Sequence, residues 1–161
     1  MLKPFSYCLS LALLLGAFAG SSSAQLGTKK ALTLSAGKMI AAAAEAEALK
    51  NKWNVVIAIL DEGGNLLYLQ RMDETQIASV DVAIAKAKSA VGFKRPTKVF
   101  EDMVAGGRTA VLKLPLAMPI EGGVPLMADG RVIGAIGVSG VTSQQDGMIA
   151  KAGADSIAEM K

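Results

Sequence analysis

Histidine is absent from this 161-residue chain, and cysteine occurs once, at Cys8. Without histidine the chain lacks the commonest metal ligand and the commonest general base near neutral pH. Zinc enzymes of the usual kind, Ser-His-Asp hydrolases and Cys-His proteases are thereby excluded. Aromatic residues make up only 4% of the chain, and no Lys/Arg cluster is interleaved with them. With a formal net charge of only +3, that pattern gives no footprint for nucleic acid.

The longest apolar run is short and lies near the start. Lys3 supplies a positive region, Leu9–Ala19 (LSLALLLGAFA) an apolar stretch, and Ser22-Ser23-Ala24 a small-residue cleavage site before Gln25. This pattern reads as a secretory signal peptide over residues 1–24, with an uncleaved anchor as the alternative. No lipobox-like Leu-x-Gly-Cys surrounds Cys8. The expected product is periplasmic or secreted, without stable membrane insertion after cleavage. Residues 25–161 then form one domain of ordinary size, held by its core alone because no cysteine remains.

Within that domain, Gln25–Lys30 is a polar lead-in. An Ala-rich stretch predicts a first helix over 35–50, capped by Thr33 or Ser35, with Met39, Ile40, Ala43 and Leu49 on its inner face. The run Val55–Leu60 is apolar at every position and predicts a strand buried on both faces. Asp61–Asn65 forms a turn into a second strand, Leu66–Arg71. A second helix is predicted over 79–93, with Ala83, Ala87 and Ala90 as its small-residue face and Lys86 and Lys88 on different sides. Pro96 and Thr97 open a short helix that ends at Gly106-Gly107. The segment Arg108–Ile120 is mostly apolar, contains Pro115 and Pro119, and reads as a short edge strand, a lid or a subunit contact.

Glu121–Gly140 carries two apolar runs, Val124–Ala128 and Val132–Val138, around Asp129-Gly130. An Asp-Gly step between strand formers is a strong hairpin signal, since both residues tolerate positive φ. The glycines of this hairpin mark close approach, either of another element or of a ligand. A last helix follows from Thr142 or Ser143 to about Met160, with Asp146 in its first turn, where it suits the helix dipole. Strand pairs with helices grouped between them predict an α+β domain, an antiparallel sheet covered by helices.

These residues, taken in order, carry a resemblance. Leu60-Asp61-Glu62-Gly63-Gly64, Arg71-Met72-Asp73, Asp81-x4-Lys86-Ala87 and Arg95-Pro96-Thr97 are joined by Gly106-Gly107-Arg108, Glu121–Pro125, Ile133–Gly140 and Lys151–Ala154. From about Leu32 to its end the chain resembles the GlcG/HbpS-type haem-binding family, also called the haem-degrading domain family. The resemblance implies a profilin-like α-β-α domain on a five-stranded antiparallel sheet, and a homo-oligomer between dimer and octamer. It also implies haem binding, in some exported members with haem degradation or redox sensing. A related domain is fused to corrinoid adenosyltransferases, and others are encoded beside glycolate oxidation genes.

A haem iron would need a ligand other than histidine or cysteine, which leaves a threonine, Tyr68, a lysine, or one of Met72, Met118 and Met127. Methionine is equally a filler of core gaps. Arg71 and Lys86 are suited to a carboxylate or propionate, while an Arg71–Asp73 or Lys86–Asp ion pair is the structural alternative. Gly122, Gly123, Ser139 and Gly140 sit where backbone N–H groups meet an anion at a helix N-terminus, or where strands simply turn. Glu121 is the carboxylate beside them and an acid or base if buried. The candidate ligand-binding set is therefore Arg71, Asp73, Lys86, Glu121, Gly122, Gly123, Ser139 and Gly140. Haem is the expected ligand, and a small hydroxy acid or related organic anion the alternative.

Overall fold

The computed structural model describes residues 25–160, so the expected signal peptide lies outside the described residues. Thr33 caps α1 (Leu34–Lys50), its hydroxyl accepting the Ala36 N–H at 3.2 Å. Strands β1 (Val56–Asp61) and β2 (Leu66–Arg71) follow, then α2 (Ala78–Phe93) and α3 (Lys98–Ala105). A 3-10 helix at Thr109–Lys113 leads to β3 (Gly123–Ala128) and β4 (Arg131–Ser139), and α4 (Ser143–Asp155) ends in a second 3-10 turn, Ser156–Glu159. No helix among the described residues is long and apolar enough to cross a membrane.

The sheet is antiparallel throughout, in the order β2-β1-β4-β3. Among the described residues it has four strands, not the five that the family resemblance implied. The missing strand would have come from 108–120. Pro115 and Pro119 remove two ladder donors there, and Leu116 adopts φ +67°, which no strand accommodates. The segment instead forms the 3-10 helix and an irregular approach to β3.

Two cores sandwich the sheet. Val56, Ala58, Leu60 and Ala135 pack on one face against Ala83, Ala87, Ala90 and Val91 of α2. Ile57, Ile59, Leu126, Ile136 and Val138 pack on the other against Ile40, Ala41, Ala44 and Ala48 of α1 and Ile149 and Ala150 of α4. β1 is therefore buried on both faces, as its unbroken apolar run predicts. The inner stripe of α1 runs through Gly37, Ile40, Ala41, Ala44 and Ala48. Met39 and Leu49, expected on that stripe, are instead 57% and 60% exposed. The buried alanines, Ala41, Ala44 and Ala48, fall at i, i+3 and i+7 on one face, where small side chains allow closer seating than long ones.

The β3–β4 turn has Asp129 at φ +49° and Gly130 at φ +71°, the positive pair that a tight hairpin needs. In β4, glycine serves the approach of a helix. A methyl group at Gly137 would collide with the Ala83 carbonyl oxygen of α2. Gly137→Ala should therefore destabilise the fold by about 3 kcal/mol, as overpacking against backbone does. Gly92→Ala, whose added carbon would sit 3.9 Å from its nearest neighbour, should keep wild-type stability. Chemical denaturation of both variants checks the contrast.

Candidate functional site

Most of the expected site residues meet where α2, β4 and the N-terminus of α4 converge at the start of β3. Lys86 leaves α2 on the side of the first core and reaches the opposite layer. Its Nζ, on a side chain only 1% exposed, donates to the Val138 carbonyl at 2.9 Å and to Asp146 Oδ2 at 2.7 Å. The lysine passes where Gly122 and Gly123 have no side chains. A Cβ on Gly122, whose φ is +126°, would lie 2.7 Å from Nζ, and one on Gly123 would strike the Lys86 carbonyl. Gly123 is held in turn by Thr97, which accepts its N–H on Oγ1 at 2.9 Å and donates its own N–H to the Gly123 carbonyl at 3.0 Å.

The α4 N-terminus is closed by its own residues. Thr142 and Gln145 form a reciprocal capping box, and Asp146 Oδ1 accepts the Val141 N–H at 3.2 Å. Asp146 stands in the first turn of α4, as the sequence predicts, and is there buried and bound to Lys86. The Lys86–Asp alternative read from the sequence corresponds to an ion pair, which joins α2 to α4. Ser139 Oγ donates to Ser79 Oγ at 3.2 Å under the start of α2, and a side chain at Gly140 would meet the Asn54 carbonyl. The glycines and the serine of this rim therefore face protein.

Glu121 lies beside this cluster. Its N–H donates to Glu101 Oε2, whose other oxygen accepts from Ser143 Oγ at 3.3 Å. The Glu121 carboxyl rests on Gly147 of α4, and its Oε2 is buried without a hydrogen-bond partner. Desolvation pushes the Glu121 carboxyl above its usual range, Lys98 and Lys86 pull it back, and Glu101 and Asp102 add to the rise. Burial likewise raises Asp146, against the pull of its bond to Lys86.

Arg71 and Asp73 stand apart. Arg71 ends β2, an edge strand separated by β1 and β4 from the β3 edge that carries Gly122 and Gly123. At the spacing of paired strands that is roughly 14 Å. The two residues form no ion pair with each other among the described residues. They line a separate cavity of about 430 Å³ with Glu45, Leu49, Met72 and Glu74. The potential iron ligands do not converge either. Tyr68 donates its hydroxyl to Gln70, Met72 packs against the second core, Met118 lies beside Ser89 of α2, and Met127 is 45% exposed.

Thr97 and Asp146, marked in the sequence only as a helix opener and a first-turn acid, and Glu101, which the sequence did not single out, are the partners of the rim; no local signal marks those contacts. Comparison with known proteins places this architecture. Residues 32–155 match the model of the HbpS-like family, described as haem degrading protein HbpS-like, and the chain belongs to that family. Protein GlcG of Escherichia coli K12 is 46% identical over 112 residues, covering 70% of this chain and 84% of that protein. A double mutant of Streptomyces reticuli HbpS matches with 33% identity and a TM-score of 0.74, over 82% of this chain and 90% of that one. The PduOC–haem complex matches with 29% identity and a TM-score of 0.71, over 79% of this chain and 95% of that one.

The raised Glu121 carboxyl has a consequence for stability. The folded state keeps this proton at pH values where the unfolded chain, titrating near 4.5, has lost it. Stability should therefore fall as pH rises from that value through the raised one. Asp146 contributes with the same sign. Glu121→Gln should flatten the slope and raise stability at neutral pH, measured as denaturation midpoints across that range. A variant as pH-dependent as wild type would contradict the assignment.

Proposed function

We propose that this chain is an exported haem-binding protein of the HbpS-like family, working as a homo-oligomer. The observation that carries the reading is the match to the PduOC–haem complex along almost that whole domain, within a family described as haem degrading. Bound haem would supply redox-active iron, on which a degrading or redox-sensing role would rest. This chain's donors suit a seat for the macrocycle better than strong iron ligation, because it has no histidine and its methionines and Tyr68 point to different places. The export step is supported by the signal-like pattern of residues 1–24. The oligomer is supported by Leu112, Leu114 and Ile120, which leave apolar surface between α3 and β3.

The alternative, a small hydroxy acid or related anion, attaches to Arg71, whose guanidinium is exposed and unpaired among the described residues. Glu45, Asp73 and Glu74 surround the same cavity. Three carboxylates against one guanidinium give a local field that disfavours a small anion. Haem is therefore the reading the geometry supports better.

Titration of the purified protein with haemin should give a saturable Soret shift with defined stoichiometry. A spectrum no different from that of haemin with an unrelated protein would overturn the proposal.

A further inference from the structure

A cavity of about 280 Å³ opens on the flank of α2, away from the buried ion pair. Its walls are Gly63 and Gly64 of the β1–β2 turn, Val91 and Gly92 of α2, and Leu116. Three of these five residues are glycines, so the walls are close to flat. Leu116 holds a backbone conformation, φ +67°, that a leucine rarely adopts, and its side chain is 65% exposed. Non-glycine residues kept in such conformations concentrate at ligand clamps. Two residues on, Ser89 of α2 accepts the Met118 N–H at 3.1 Å and ties this segment to the helix.

Two charges border the cavity. Glu62 is already engaged by Lys29 at 2.6 Å, whereas Lys88 is exposed and forms no ion pair among the described residues. A flat apolar wall with one free cation at its rim complements a flat apolar ligand with a carboxylate at its edge. Two other cavities do not offer this: the ion pairs Lys29–Glu62 and Lys30–Asp129 border the one beside the β3–β4 turn, and carboxylates dominate the one at Arg71.

We propose that this cavity seats one edge of a tetrapyrrole, its ring against Val91 and Leu116 and a propionate on Lys88. This rests on the haem-binding reading and names the place on the chain where it is realised. The ring and its carboxylate carry the recognition, so metal-free protoporphyrin IX should bind there as haemin does.

Gly92→Leu fills the cavity without backbone strain, because a carbon added at Gly92 meets only Leu116 Cδ1, at 3.9 Å. Lys88→Glu reverses the rim charge at an exposed position and leaves the core untouched. Both variants should fold as wild type and bind haemin and protoporphyrin IX about tenfold more weakly, a loss readable in parallel absorbance and fluorescence titrations. Wild-type affinity in either variant overturns the assignment of this cavity. Failure of the wild-type protein to bind haemin would instead remove the haem reading itself.

Discussion

The fold depends on one buried ammonium. Lys86 starts in the layer of α2 and is neutralised in the layer of α4, so its side chain must cross the plane of the sheet. Asp146 and the Val138 carbonyl satisfy it there. Removing two charges from water costs several kcal/mol per ion before their attraction is counted, so such a pair persists only with good geometry on both sides. Gly122 and Gly123 give the lysine its passage, Thr97 clasps Gly123 from both of its backbone groups, and the Thr142 box seats Asp146 at the head of α4. Four elements are thereby fixed by one contact.

That constraint also decides what the conspicuous glycines do. A glycine-rich strand end beside a helix N-terminus is the usual form of an anion site. In this chain the N-terminus is capped by its own threonine and glutamine, and the glycines lie against Lys86, Ala83 and Asn54. The proposed seat for a ligand is the far flank of α2, where Gly92, Gly64 and Leu116 leave an apolar hollow. Membership of the HbpS-like family and the likeness to a haem complex support the proposal of a tetrapyrrole there. The opposite sides of one helix would then divide the work: Lys86 locks the fold, and Lys88 meets the ligand.

Much of this was legible in local patterns. The unbroken run of β1, the Asp129-Gly130 turn, the alanine face of α2 and the Thr142 cap are all short-range signals, and each appears where its pattern predicts it. The haem-family resemblance was legible too, because it rests on the order of many short motifs. What stayed hidden depends on long-range pairing. Nothing near Lys86 names a partner sixty positions away, and Asp146 in a first helical turn reads as a dipole partner until the tertiary contact is known. The same holds for Met39 and Leu49, displaced from the core by smaller neighbours, and for the expected fifth strand, lost to two prolines and Leu116. Arg71 has the right chemistry for an anion but stands on the wrong edge of the sheet to join the rim.

A double-mutant cycle on Lys86→Met and Asp146→Asn tests the account most directly, with unfolding free energy and haemin affinity read on the same four proteins. Each single variant leaves a buried group without its partner and should lose about 3–5 kcal/mol. The double variant should recover much of that loss and bind haemin as wild type does, because the pair secures the fold and does not touch the ligand. Single variants within about 0.5 kcal/mol of wild type, or a folded double variant that no longer binds haemin, would contradict it.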